Sequence, residues 1–64
     1  MRTERIEINP AMMMGKPVIR GTRITVELIL RKLAEGETES ELIEDYPHLG
    51  VEDIRAAIAY SSRR

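Results

Sequence analysis

The chain is expected to be mainly α-helical, a three-helix helix-turn-helix unit over residues 25–62 preceded by an arm, residues 1–24, whose short β-strand pair is completed across a dimer. Three observations predict this. Two segments open with helix-capping patterns and a third follows a connector of helix-turn-helix length. The first 24 residues hold only short extended stretches interrupted by Pro and Gly. The 64 residues include eight Ile, five Leu and three Val but no Phe and no Trp, which is material for one thin core and a single domain, 1–64.

The elements follow in order. Arg5-Ile6-Glu7-Ile8 alternates polar and apolar and predicts a strand with Ile6 and Ile8 on one face, ended by Asn9-Pro10. Met12-Met13-Met14 lies between Pro10 and Gly15, too short for a helix, and its unbranched apolar side chains are adaptable contact surface for a second chain. Pro17 makes Lys16 extended, so a second strand is expected from about Val18 to Arg20, followed by a turn with positive φ at Gly21. Two short strands do not form a stable sheet alone, and pairing across a dimer would supply the rest.

Thr25 caps the first helix, Glu27 occupies its first turn, Ile24 and Ile29 form a hydrophobic staple, and Gly36 stops it. Val26, Ile29, Leu30 and Leu33 make its core stripe, leaving Leu28 off the stripe and in need of another partner. A capping box from Thr38 to Glu41 opens a second helix that Pro47 ends at about Tyr46. The third runs from about Val51 to Ser61, with Leu49 and Ile54 as its staple and Val51, Ile54 and Ile58 expected to point inward around Ala57.

The net charge of -1 hides an asymmetry: residues 1–33 carry seven Lys/Arg against three Glu, and residues 34–64 three Arg against eight Asp/Glu. The basic half suits phosphate and the acidic half a basic protein partner. Catalysis is disfavoured by the inventory, since the chain has no cysteine and one histidine, His48, set in a Pro-flanked turn. The same inventory cannot assemble a zinc cluster, and no cofactor is expected. No apolar run is long enough for a membrane span and no signal-peptide core follows Met1, so a cytoplasmic protein is expected. Gly15-Lys16 fails as a phosphate loop because Pro17 stands where Ser or Thr is required.

The helix order suits a recognition helix for DNA, yet Glu52 and Asp53 sit in the first turn of the third helix, where bases and phosphates would be met. The DNA-backbone candidates are therefore Lys16, Arg20, Arg23 and Arg55. The partner-binding candidates are Met12, Met13, Met14, Leu28, Arg63 and Arg64, together with the acidic second helix.

The decapeptide Gly15-Lys16-Pro17-Val18-Ile19-Arg20-Gly21-Thr22-Arg23-Ile24 resembles the signature of a small prokaryotic family known as domain of unknown function four-three-three. Ile8-Asn9-Pro10, Leu33-Ala34 with Gly36, Tyr46-Pro47 with Leu49, and Glu52-Asp53-Ile54 with Ala56-Ala57 extend the resemblance over nearly the whole chain. Met14 departs from it where a second glycine is common, and Gly50 where a capping Thr or Ser is common. The resemblance implies a homeodomain-like three-helix unit with an N-terminal strand pair, usually dimeric and paired genetically with a nuclease-like toxin of the PIN type. The leading expectation is thus an antitoxin-like protein that neutralises such a toxin by direct binding and autoregulates on operator DNA. A stand-alone helix-turn-helix regulator and a dimeric interaction module without DNA binding remain as alternatives.

Overall fold

In the computed structural model, which describes residues 5–11 and 13–62, the two expected strands find each other within one chain. β1 (Ile6–Glu7) runs antiparallel to β2 (Val18–Ile19), with Ile6 opposite Ile19 and Glu7 opposite Val18. The strand pair expected in the arm thus forms within one chain, as a sheet of two strands. They are shorter than the alternation suggested, and Ile8, beyond the end of β1, is 56% exposed instead of sharing the core face with Ile6.

A second tie stabilises this minimal sheet. Gly21 takes a φ of +83° and turns the chain back, so that Val18 also bridges Thr25. The Ile19 N–H donates to the Ile24 carbonyl at 2.9 Å and the Val26 N–H to the Pro17 carbonyl at 3.0 Å. Thr22 locks the turn: its hydroxyl donates to the Ile19 carbonyl and accepts from the Ile24 N–H. Helix α1 (Val26–Ala34) starts directly out of this knot, capped by the Thr25 hydroxyl, which accepts from the Leu28 N–H at 3.0 Å. It ends in a Schellman pattern around Gly36, φ +102°, where the Gly36 N–H reaches the Leu33 carbonyl and the Glu37 N–H the Lys32 carbonyl.

α2 (Glu39–Asp45) opens with the complete capping box of Thr38 and Glu41. It buries a single residue, Leu42, before Tyr46 and Pro47 end it. α3 (Val51–Ser61) starts at Gly50, whose N–H is accepted by the Asp53 carboxylate at 3.0 Å. The core joins both halves of the chain, since Ile6 and Ile19 cluster with Val26, Ile29, Leu42, Leu49, Ile54 and Ala57. The arm is packed into the helical unit, not appended to it.

One expected face turns out otherwise. α3 presents the edge of Ile54 and Ala57 to the core, both with no exposed surface, so at about 3.6 residues per turn Val51 and Ile58 fall on its outer shoulder at 38% and 42% exposure. Among the described residues no helix is long and apolar enough to cross a membrane.

Candidate functional site

The base-reading end of a helix-turn-helix would be the first turn of α3, and here the N-terminal arm closes it. The Arg5 guanidinium spans both carboxylates of that turn, bonding Glu52 through one nitrogen and Asp53 through the other, the latter at 3.0 Å. Asp53 thereby divides its two oxygens between Arg5 and the Gly50 N–H. Sequence reasoning missed Arg5, because nothing local marks a contact across 47 and 48 residues.

The proposed basic contacts separate in space. Lys16 and Arg23 line one hollow with Met13, Thr25, Glu27, Leu28 and Arg31, whereas Arg20 and Arg55 are not part of it. Lys16 is engaged by Glu27, Nζ to Oε1 at 3.0 Å. That hydrogen bond and the Lys16 charge hold the Glu27 carboxyl below its ordinary 4.5, against an opposing effect of burial and with a lesser contribution from the Arg31 charge. Arg31 is the cation that sequence reasoning overlooked; its signal was its position four residues after Glu27. Off-stripe Leu28 and Met13 of the arm line this same hollow. Arg55 lies exposed on α3.

Met13, Met14 and Gly15 form a single tight turn in which all three take positive φ, 50°, 57° and 80°. For the two methionines this left-handed geometry costs on the order of 1–2 kcal/mol each. Strain of this kind persists where surrounding structure imposes it and is concentrated at functional segments. Met14 stands 92% exposed and Met13 40%. Met12, Arg63 and Arg64 lie outside the described residues.

Two further surfaces complete the map. An apolar groove of about 630 Å³ lies where α1 meets the C-terminal end of α3, lined by Pro17, Val26, Leu30 and Tyr60 together with Glu27, Arg31 and Ser61. Glu37, Glu41, Glu44 and Asp45 surround an acidic hollow on α2. Glu37, between α1 and α2, is drawn inward from the surface. It bonds Lys32 at 3.4 Å, is 27% exposed, and has its Oε1 buried without a partner among the described residues. This carboxylate raises the Lys32 ammonium above its ordinary 10.5. His48 is exposed in its turn, and no group of three His, Cys, Asp or Glu converges on a metal position among the described residues.

A two-stranded N-terminal hairpin packed into a three-helix unit defines the class of protein. Within that class the chain belongs to the family described as "Protein of unknown function (DUF433)", whose model matches residues 6–61. It is 34% identical over 58 residues to the uncharacterized protein y4eO of Sinorhizobium fredii (strain NBRC 101917 / NGR234). That match covers 91% of this chain and 26% of the relative, so the chain spans about a quarter of that protein's length. The fold is also similar to the crystal structure of a DUF433 member from Anabaena variabilis ATCC 29413. The TM-score is 0.90 at 35% identity, covering 94% of this chain and 59% of the other.

Proposed function

We propose that this chain is a non-catalytic, antitoxin-like binding module that neutralises a nuclease partner in the cytoplasm by covering it. The observation that carries this reading is the outer face of α3. Val51, Arg55 and Ile58 recur at i, i+4 and i+7 as an exposed apolar-cation-apolar stripe, while the first turn of the same helix is closed by Arg5. Apolar side chains spaced in this way fit a protein groove, whereas a helix that reads bases presents polar side chains from an open N-terminal end. The acidic hollow on α2 supports a nuclease as the partner, because clustered carboxylates mimic the charge of a phosphate backbone toward a basic substrate surface.

Co-expression with the product of the neighbouring reading frame tests the proposal. That product is expected to arrest growth through ribonuclease activity, and this chain to restore growth and co-purify in a fixed ratio. Val51→Glu and Ile58→Glu should each weaken the complex by about tenfold or more, since a charge replaces a buried apolar contact. An unimpaired complex in both variants, or a neighbouring product with no effect on growth, would overturn it.

DNA binding is the second reading, favoured by the shared hollow of Lys16, Arg23 and Arg31. If phosphates are held there and at Arg20, replacing Arg20 and Arg23 together by Ala should flatten the slope of log K against log salt by about two. No shift of upstream DNA at low salt would retire it.

A further inference from the structure

The hollow beside the start of α1 is assembled from three separate parts of the chain. The left-handed turn of Met13 to Gly15 is closed by the Lys16 N–H on the Met13 carbonyl at 3.1 Å, so an apolar wall and an ammonium are delivered together. Arg23 comes from the turn that the Thr22 hydroxyl ties to Ile19 and Ile24. Leu28 and Arg31 come from α1, three residues apart and therefore neighbours on one face of the helix. Three cations thus share a space of about 310 Å³ with one carboxylate, Glu27, a surplus of two positive charges. Glu27 is bonded to Lys16, whereas Arg23 and Arg31 form no salt bridge among the described residues.

From this arrangement we infer that the hollow is a binding site for a nucleoside monophosphate. A phosphate monoester carries about 1.5 to 2 negative charges at neutral pH, which matches the surplus. Each diester of a nucleic-acid backbone carries only one. Guanidinium groups hold phosphate oxygens through paired N–H donors, and Arg23 and Arg31 have those donors to give. Glu27 accepts hydrogen bonds and donates none when ionised, so it suits a sugar hydroxyl. Met13 and Leu28 supply apolar walls for the base, and a methionine sulfur makes favourable contacts with an aromatic ring. Ligand pockets span about 300–1,000 Å³, so the hollow lies at the small end, suited to one base, one sugar and one phosphate. This inference goes beyond the nuclease reading, which makes no use of the hollow. It competes with the DNA reading for the same cations, and the charge on the phosphate separates the two.

The test titrates the isotope-labelled chain with adenosine 5′-monophosphate at low salt, followed by amide NMR and calorimetry. Two probes share its organic body: adenosine, and the cyclic 3′,5′-monophosphate, a diester of single charge. The monophosphate is expected to move the amides of Met13, Lys16, Arg23, Leu28 and Arg31 and to bind about tenfold tighter than the cyclic diester, with adenosine weaker still. Its affinity should fall about tenfold from about pH 7.5 to about pH 5, because the monoester loses its second charge near pH 6, while that of the cyclic diester stays level. Lysine and arginine side chains keep their charge across that window, and Lys16 holds the Glu27 carboxyl below its ordinary 4.5. His48 lies outside the hollow, in the turn between α2 and α3, and any effect of its charge would move both nucleotides alike. Arg23→Ala and Arg31→Ala should each weaken the monophosphate by about tenfold. Lys32→Gln, which removes a cation of α1 that is bonded to Glu37 outside the hollow, should leave it unchanged. Circular dichroism of each variant establishes that it is folded. A cyclic diester that binds as tightly as the monophosphate overturns the inference and leaves the DNA reading standing. Adenosine binding equally well, Arg23 and Arg31 variants that bind like the parent, or no amide shift at millimolar monophosphate overturns it as well.

Discussion

Asp53 holds two structures together at once, and removing its carboxylate separates their contributions. Its Oδ2 accepts from the Gly50 N–H at the start of α3, and its Oδ1 takes the Arg5 guanidinium at 3.0 Å. A side-chain bond to an otherwise orphaned N–H at a helix start is worth about 0.5–2 kcal/mol. The ion pair belongs at about 0.2–1 kcal/mol, because the Arg5 side chain is 50% exposed even though that of Asp53 is only 13% exposed. Asp53→Ala should therefore cost about 1–2.5 kcal/mol, and Arg5→Ala, which loses its bonds to both Asp53 and Glu52, about 0.4–2 kcal/mol. A domain of this length has roughly 3–10 kcal/mol in total. At about 4–8 °C per kcal/mol, Asp53→Ala should lower Tm by about 5–20 °C. Thermal and urea unfolding followed by circular dichroism measure the single variants. The double variant closes a cycle whose coupling energy isolates the ion pair and should shrink in high salt. If Asp53→Ala costs no more than the coupling energy of that cycle, the capping bond contributes nothing and the reasoning fails. If the coupling is zero at low salt, the clasp over α3 is not formed in solution.

Three other outcomes follow from the same physics. Gly50→Ser should stabilise the chain by about 0.5 kcal/mol in chemical denaturation, because Gly50 has an ordinary extended φ of -108° and a Cβ there meets nothing closer than the Asp53 Oδ2 at 3.6 Å. Gly21→Val should cost at least about 1–2 kcal/mol and lower Tm, purely through the φ of +83°, since its Cβ would touch nothing within 4 Å. In carbon-detected NMR titrations Glu27 should ionise below 4.5 and move back toward that value in Lys16→Met. Because the folded state lowers this carboxyl, its stabilising contribution is present above the unfolded value and is lost as pH falls through the folded one.

The helix boundaries were legible because their determinants are local. Thr25 to Leu28, Thr38 to Glu41, Gly36 after Leu33 and Pro47 after Tyr46 all act within a few residues, and each does in the structure what its spacing implies. The positive φ at Gly21 was legible for the same reason. Rotation of α3 about its axis was not, because Val51 and Ile58 are as apolar as Ile54, and only the position of the other helices decides which edge is covered. The left-handed methionines escaped notice because Gly15 marks a turn there while Met13 and Met14 have no local preference for positive φ. At the candidate site, Lys16 and Arg23 stood among the backbone-contact candidates, but Arg31 reads as one more polar-face residue until the fold sets it in the same hollow. Charge alone did not reveal that Glu52 and Asp53 would be claimed by Arg5 from the far end of the chain.

Thr25 belongs to two elements simultaneously: its backbone bridges Val18 and its hydroxyl caps α1. Neither the hairpin nor the first turn of the helix can open without breaking the other, so the segment from Pro17 to Leu28 constitutes a single foldon. Its protected amides, Ile19, Val26 and Leu28 among them, are bound to exchange with solvent through one common opening, at one common free energy, even if the ends of α2 and α3 fray independently.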